Sequence, residues 1–134
     1  MALGTIASDT IQDGAGNSTA TTTVIKGSAK AWVNFTDISG TVVIIKSFNC
    51  SSVVRNAAGY FTFNFTTAMT DTGYVPTGTA GGTAATNSGA VSAFQNPSTG
   101  AVVAPTTSAF VFTSYNTGGA PFDPTYVNIA VLGN

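Results

Sequence analysis

Charge is scarce in this chain: four basic and five acidic side chains among 134 residues, with no His at all. Asp9, Asp13, Lys26, Lys30, Asp37, Lys46, Arg55, Asp71 and Asp123 are scattered and leave a formal net charge of -1. Phosphate recognition needs several Lys or Arg gathered on one face, so a nucleic-acid partner is not expected. Low charge also weakens the repulsion that keeps copies apart, and an apolar, nearly uncharged chain is expected to bury surface in an oligomer. Cys50 is the single cysteine, which excludes an intrachain disulfide and a multi-thiolate zinc site. Without His, the usual nitrogen ligand for a transition metal is missing, and neither a metal nor another cofactor is expected. No run of about 20 apolar residues offers a membrane-crossing helix, and Met1 to Ile11 lacks the basic region and apolar core of an export signal. Membrane insertion is not expected either.

What remains is Thr, Ser, Asn, Gly, Val and Phe, a composition poor in helix formers and rich in residues that suit a pleated surface. An all-β fold follows, in one domain preceded by an arm. Residues 1–28 hold few apolar side chains and dense turn chemistry at Asp13-Gly14-Ala15-Gly16-Asn17, which predicts an extended N-terminal arm. Residues 29–134 carry the core pattern. Ala29, Ala31, Val33 and Phe35 alternate with Lys30, Trp32, Asn34 and Thr36, the period of a strand with one buried face. After a turn at Asp37–Gly40, the run Val42-Val43-Ile44-Ile45 within Thr41–Phe48 predicts a strand covered on both sides.

A turn at Asn56–Gly59 leads to Tyr60–Thr67, where Phe61, Phe63 and Phe65 share one face and join Phe35 as expected core anchors. The low-complexity stretch Pro76–Gly89 predicts a long exposed loop. Short strands are expected at Ala90–Phe94 and Ala101–Ala104, and longer ones at Ala109–Tyr115 and Tyr126–Leu132. With about seven or eight strands and no capped helical period, the expectation is a single antiparallel, jelly-roll-like β-sandwich.

Few residues offer chemistry. Asp71-Thr72-Gly73 matches the short signature of aspartic proteases, which pair two such loops across a dimer axis so that two carboxylates share a proton. Thr70 replaces the apolar lead-in, and Val131-Leu132-Gly133 falls where that pattern still needs chain to follow, so a β-turn is the simpler reading. Cys50 has Arg55 nearby in sequence but no His to serve as a base, which favours a structural thiol. Asp9 and Asp13 fall short of the oxygen set that calcium requires. Gly14-Ala15-Gly16 lacks the strand, helix and Lys of a phosphate loop. Sequons at Asn17, Asn34, Asn49 and Asn64 follow from abundant Asn, Ser and Thr. Trp32, Tyr60, Tyr74 and Tyr115 have faces suited to a saccharide or to a subunit interface; Trp32, Tyr74 and Tyr115 are the candidate contacts for a glycan or a protein partner.

Four blocks carry a resemblance: Ile6 to Asn17, Gly27 to Phe35 with Lys30-Ala31-Trp32-Val33-Asn34-Phe35 at its centre, Ser47 to Ser52, and Tyr60 to Met69. Together they resemble a family of small tailed-phage virion proteins and fibre-tip domains, over about the first half of the chain. Thr36 to Gly40 departs from the charged or Gly-rich turn usual there. The resemblance implies a virion component and supplies no catalytic residues. The expected function is that of a non-enzymatic, homotrimeric capsid decoration (cement) or head-fibre protein on the virion exterior. Its arm would dock on the major capsid protein or another virion protein. The alternative is a tail-fibre tip that binds a host-surface glycan, and a remote alternative is a dimeric aspartic protease at Asp71.

Overall fold

The computed structural model describes residues 8–82 and 88–133. The arm holds more local structure than its composition suggests. Strands β1 (Thr10–Gln12) and β2 (Ser18–Ala20) form a small antiparallel hairpin, and helix α1 (Thr21–Gly27) follows. Asp13 shapes the hairpin turn by accepting hydrogen bonds from the Ala15 and Asn17 amides and from Asn17 Nδ2, which hold its carboxyl below the usual range. The helix lies in the arm that was expected to be extended, and the body holds no helix among the described residues. At seven residues, with no capping side chain at its N-terminus, it is too short to display a period. Its last carbonyls are met by Ser28 and Lys30, both of which bond Ile25 O.

The body is built from β3 (Ala29–Ile38), β4 (Thr41–Phe48), β5 (Cys50–Ala57), β6 (Tyr60–Phe65), β7 (Val75–Gly81), β8 (Ser88–Ala93), β9 (Ala109–Ser114) and β10 (Tyr126–Leu132). They pair antiparallel in the order β4-β3-β10-β7-β8-β9-β6-β5, a single sheet folded into two facing layers. One fold runs along β8, whose first half pairs with β7 and whose second half pairs with β9. Gly89 permits this corner, since a Cβ there would stand 1.4 Å from Tyr115 O. The other fold is at Asn49, where a left-handed φ of 50° carries β4 of the first layer into β5 of the second. Asn49 pins the bend by donating from Nδ2 to Lys30 O and accepting the Thr67 amide at Oδ1.

The alternation at β3 and β6 points the expected residues inward. Phe35, Phe61, Phe63 and Phe65 are buried together with Phe110 and Phe112 of β9. Phe61 stacks on its cross-strand partner Phe112 at 5.3 Å and Phe63 on Phe110 at 5.0 Å, while Phe35 meets Phe61 edge-on from the other layer. Val33, Val127, Ile129 and Val131 complete that opposite wall. The chain is thus an all-β antiparallel sandwich, as its composition and alternation predict.

Several local expectations are corrected. The turn after β3 is only Ser39-Gly40, both at positive φ as a two-residue hairpin requires, so Asp37 lies within the strand and faces the core. Within Pro76–Gly89 the chain runs on as β7 to Gly81 and starts β8 at Ser88; residues 83–87 of the expected loop lie outside the described residues. Ala101–Ala104 contributes an isolated bridge, Gln95 to Val102, and no strand. Most consequential is β4. Its Val42 and Ile44 pack on the core, but Val43, Ile45 and Phe48 stand 53%, 47% and 55% exposed. The strand is covered on one face, because in a two-layer body only its inner face meets the core; it also lies at the end of the sheet order with β3 as its ladder partner.

Candidate functional site

The ionisable groups gather at one unexpected place. Arg55 of β5, Asp37 of β3 and Asp123 in the approach to β10 meet between the two layers. Arg55 Nε donates to Asp123 Oδ1 at 3.0 Å and Nη2 to Oδ2 at 2.7 Å, a bidentate pair that also receives the Gly59 amide at 2.8 Å. Arg55 Nε lies 3.3 Å from Asp37 Oδ2 as well, yet its hydrogen is committed to Asp123. Neither Asp37 oxygen has a hydrogen-bond partner among the described residues, although the side chain is wholly buried. Burial, and next the neighbouring Asp123 carboxylate, push the Asp37 carboxyl above the usual carboxylate range. The hydrogen bonds from Arg55 hold Asp123 below it. This cluster ties the two layers together, with Asp37 wholly buried and Arg55 and Asp123 partly exposed.

The residues singled out from sequence are dispersed. Asp71 is exposed and accepts the Gly73 amide at 2.7 Å, the geometry of a side-chain-stabilised turn. Cys50 is buried, and desolvation pushes its thiol up to about 11. Tyr74 is corrected from a surface contact to a core residue at 3% exposure. Its ring packs on Phe65 and Phe110, its hydroxyl donates to Thr106 O at 2.8 Å, and burial pushes its pKa up to about 12. Tyr115 sits half-buried past the end of β9 with its hydroxyl 3.3 Å from Gln95 Oε1. Trp32 stays on the outer face of β3, 38% exposed. The three candidate aromatics therefore do not form one platform.

Trp32 does line a groove. Asn34 on β3, Asn128 and Ala130 on β10, and Thr77 and Thr79 on β7 complete it, with a volume of about 460 Å³. Asn34 Nδ2 donates to Asn128 Oδ1 across the two strands. Sequence reasoning found Trp32 and missed the rest, since the lining comes from three strands far apart in the chain.

The chain matches no protein-family model, no curated protein and no solved structure. Among the described residues no three His, Cys, Asp or Glu side chains gather as a metal set. Two surfaces stand out instead: the groove, and the flank where β4 comes alongside β5. Val43 and Ile45 of β4 and Ile38 at the end of β3 are 53%, 47% and 61% exposed, and Val54 of β5 in the other layer is 49% exposed.

Proposed function

We infer that the chain is a non-enzymatic structural protein of a phage particle, displayed on the particle exterior as a homotrimeric capsid decoration or head-fibre subunit. One observation carries the assembly part of this reading. The Val42-Val43-Ile44-Ile45 run has the composition of a strand covered on both sides, yet the isolated chain covers one. Exposed β-branched side chains on an end strand are a liability that natural proteins blunt with charge, proline or bulges. Here a bulge places Ile45 as the extra residue opposite the Asn34–Phe35 step, which interrupts open-ended strand pairing and leaves the apolar flank for a specific contact. With only Lys46 charged on β4, little opposes the approach of a second copy. Closed cyclic symmetry lets three copies cover three such flanks without open-ended growth.

The virion setting rests on the resemblance of the Trp32 block and its companion segments, and the exposed hairpin and helix of the arm supply a separate element for docking on a capsid or fibre partner. Electron microscopy of intact particles containing the chain tests the proposal. Density for three copies around a local three-fold axis of the shell, with β4 flanks inward, is the expected result. Particles that carry the chain as isolated monomers, or inside the shell, would overturn it.

A further inference from the structure

Three neighbouring strands lay two parallel rows of side chains across the outer face of the first layer. Trp32, Ala130 and Thr77 form one row; Asn34, Asn128 and Thr79 form the next. Because position 130 holds only a methyl group, the indole borders open space. Thr77 closes the far side two inter-strand spacings away, roughly 9–10 Å. The groove of about 460 Å³ that results is of the size that holds a small ligand.

Its polar groups are available in a specific combination. The bond between Asn34 and Asn128 uses one donor and one acceptor of the pair, leaving one carbonyl oxygen and one amide nitrogen for a ligand. Exchanging the two amide orientations leaves the same inventory. The hydroxyls of Thr77 and Thr79 and the Trp32 Nε1 make no hydrogen bond to another described residue. No lining side chain is ionisable.

The geometry points to this groove as a binding site for a neutral saccharide, with a pyranose over Ala130 against Trp32 and adjacent hydroxyls shared between Asn34 and Asn128. Each sugar hydroxyl both donates and accepts, which suits the divided amide pair, and the C–H face of the ring suits an indole wall. An anion would find no positive partner among the lining residues. A purely apolar ligand would strip water from the amides and leave them unpaired. None of the β4-flank residues lines the groove, although Ile38 and Val43 share the outer face of the first layer with Trp32 and Asn34, so the test separates a sugar from a second copy on that face.

Trp32 is the only tryptophan, so indole emission reports on the groove alone. The full-length protein is titrated with maltotetraose, cellotetraose and galactobiose, with sialyllactose and uridine in parallel. A saturable blue shift with at least one neutral sugar is expected. Asn128→Ala should weaken that affinity by about tenfold or more, with circular dichroism and sedimentation unchanged. Thr77→Ala should weaken it to a lesser degree. No saturable response to any neutral sugar would overturn the inference, as would a response to sialyllactose or uridine alone. Equal affinity in Asn128→Ala would do so too, and so would emission that follows protein concentration but not sugar, the signature of a second copy covering the face.

Discussion

Asp37 is the residue whose behaviour is least ordinary. A buried carboxyl with a raised pKa binds its proton more readily in the folded chain than in the unfolded one. Its contribution to stability is therefore complete below the unfolded carboxylate pKa of about 3.9 and is lost as pH rises through the elevated folded value. Asp123 has the opposite sign: its contribution is present above the ordinary carboxylate pKa and is lost as pH falls through the depressed one. Stability should accordingly increase as pH falls from neutral into the weakly acidic range, where Asp37 gains its proton more readily in the folded chain and Asp123 stays paired to Arg55. Urea unfolding at about pH 5 and about pH 7 checks this, and Asp37→Asn should abolish the difference and match or exceed the native chain at neutral pH. Asp123→Asn, which strips Arg55 of its bidentate partner, should cost roughly 2–3 kcal/mol at either pH. None of this cluster was visible in the sequence, where residues 37, 55 and 123 are unrelated and Asp37 looked like a turn residue.

Elements differ in how openly they announce themselves. Strands β3, β6 and β10 were legible because large apolar residues alternate without interruption, and burying each such side chain contributes about 1.5–3 kcal/mol. Strand β5 went unread because register shifts near both ends break its alternation; its buried residues, Cys50 and Val53, are three apart. Strand β7 buries only Ala80 and otherwise shows an exposed Val75 with Pro, Thr and Gly, so nothing but long-range pairing with β10 reveals it. The Asn49 corner had no signal beyond a residue type that tolerates left-handed φ. At the β8 corner the prediction is direct. Gly89→Ala would drive a methyl group into the Tyr115 carbonyl, and the loss of stability, read from thermal or denaturant midpoints, should exceed about 4 kcal/mol. A change near the roughly 1 kcal/mol or less typical of an unstrained Gly-to-Ala replacement would show that β8 and β9 can part without penalty.

For the whole molecule, the contrast between what β4 is made of and what covers it organises the account. The all-β class, the single core and the aromatic anchors are legible in composition and alternation alone. The uncovered flank is not, because composition tells how much apolar surface a strand carries and says nothing of which chain buries it. The groove was half legible for a similar reason: Trp32 stands out in any sequence, while Asn34, Asn128, Thr77 and Thr79 gain meaning only from register. Groove and flank lie on neighbouring strands of one outer face, the groove over β3, β10 and β7 and the flank along β4, with Thr36 beside Val43 between them.

Sedimentation velocity of the native chain beside Ile45→Lys, over a dilution series, decides whether β4 is a contact between copies. A trimer is expected for the native chain and a folded monomer for the variant, with matching circular dichroism spectra. A native chain that sediments as a monomer at every concentration, or a variant that assembles as the native chain does, would contradict it.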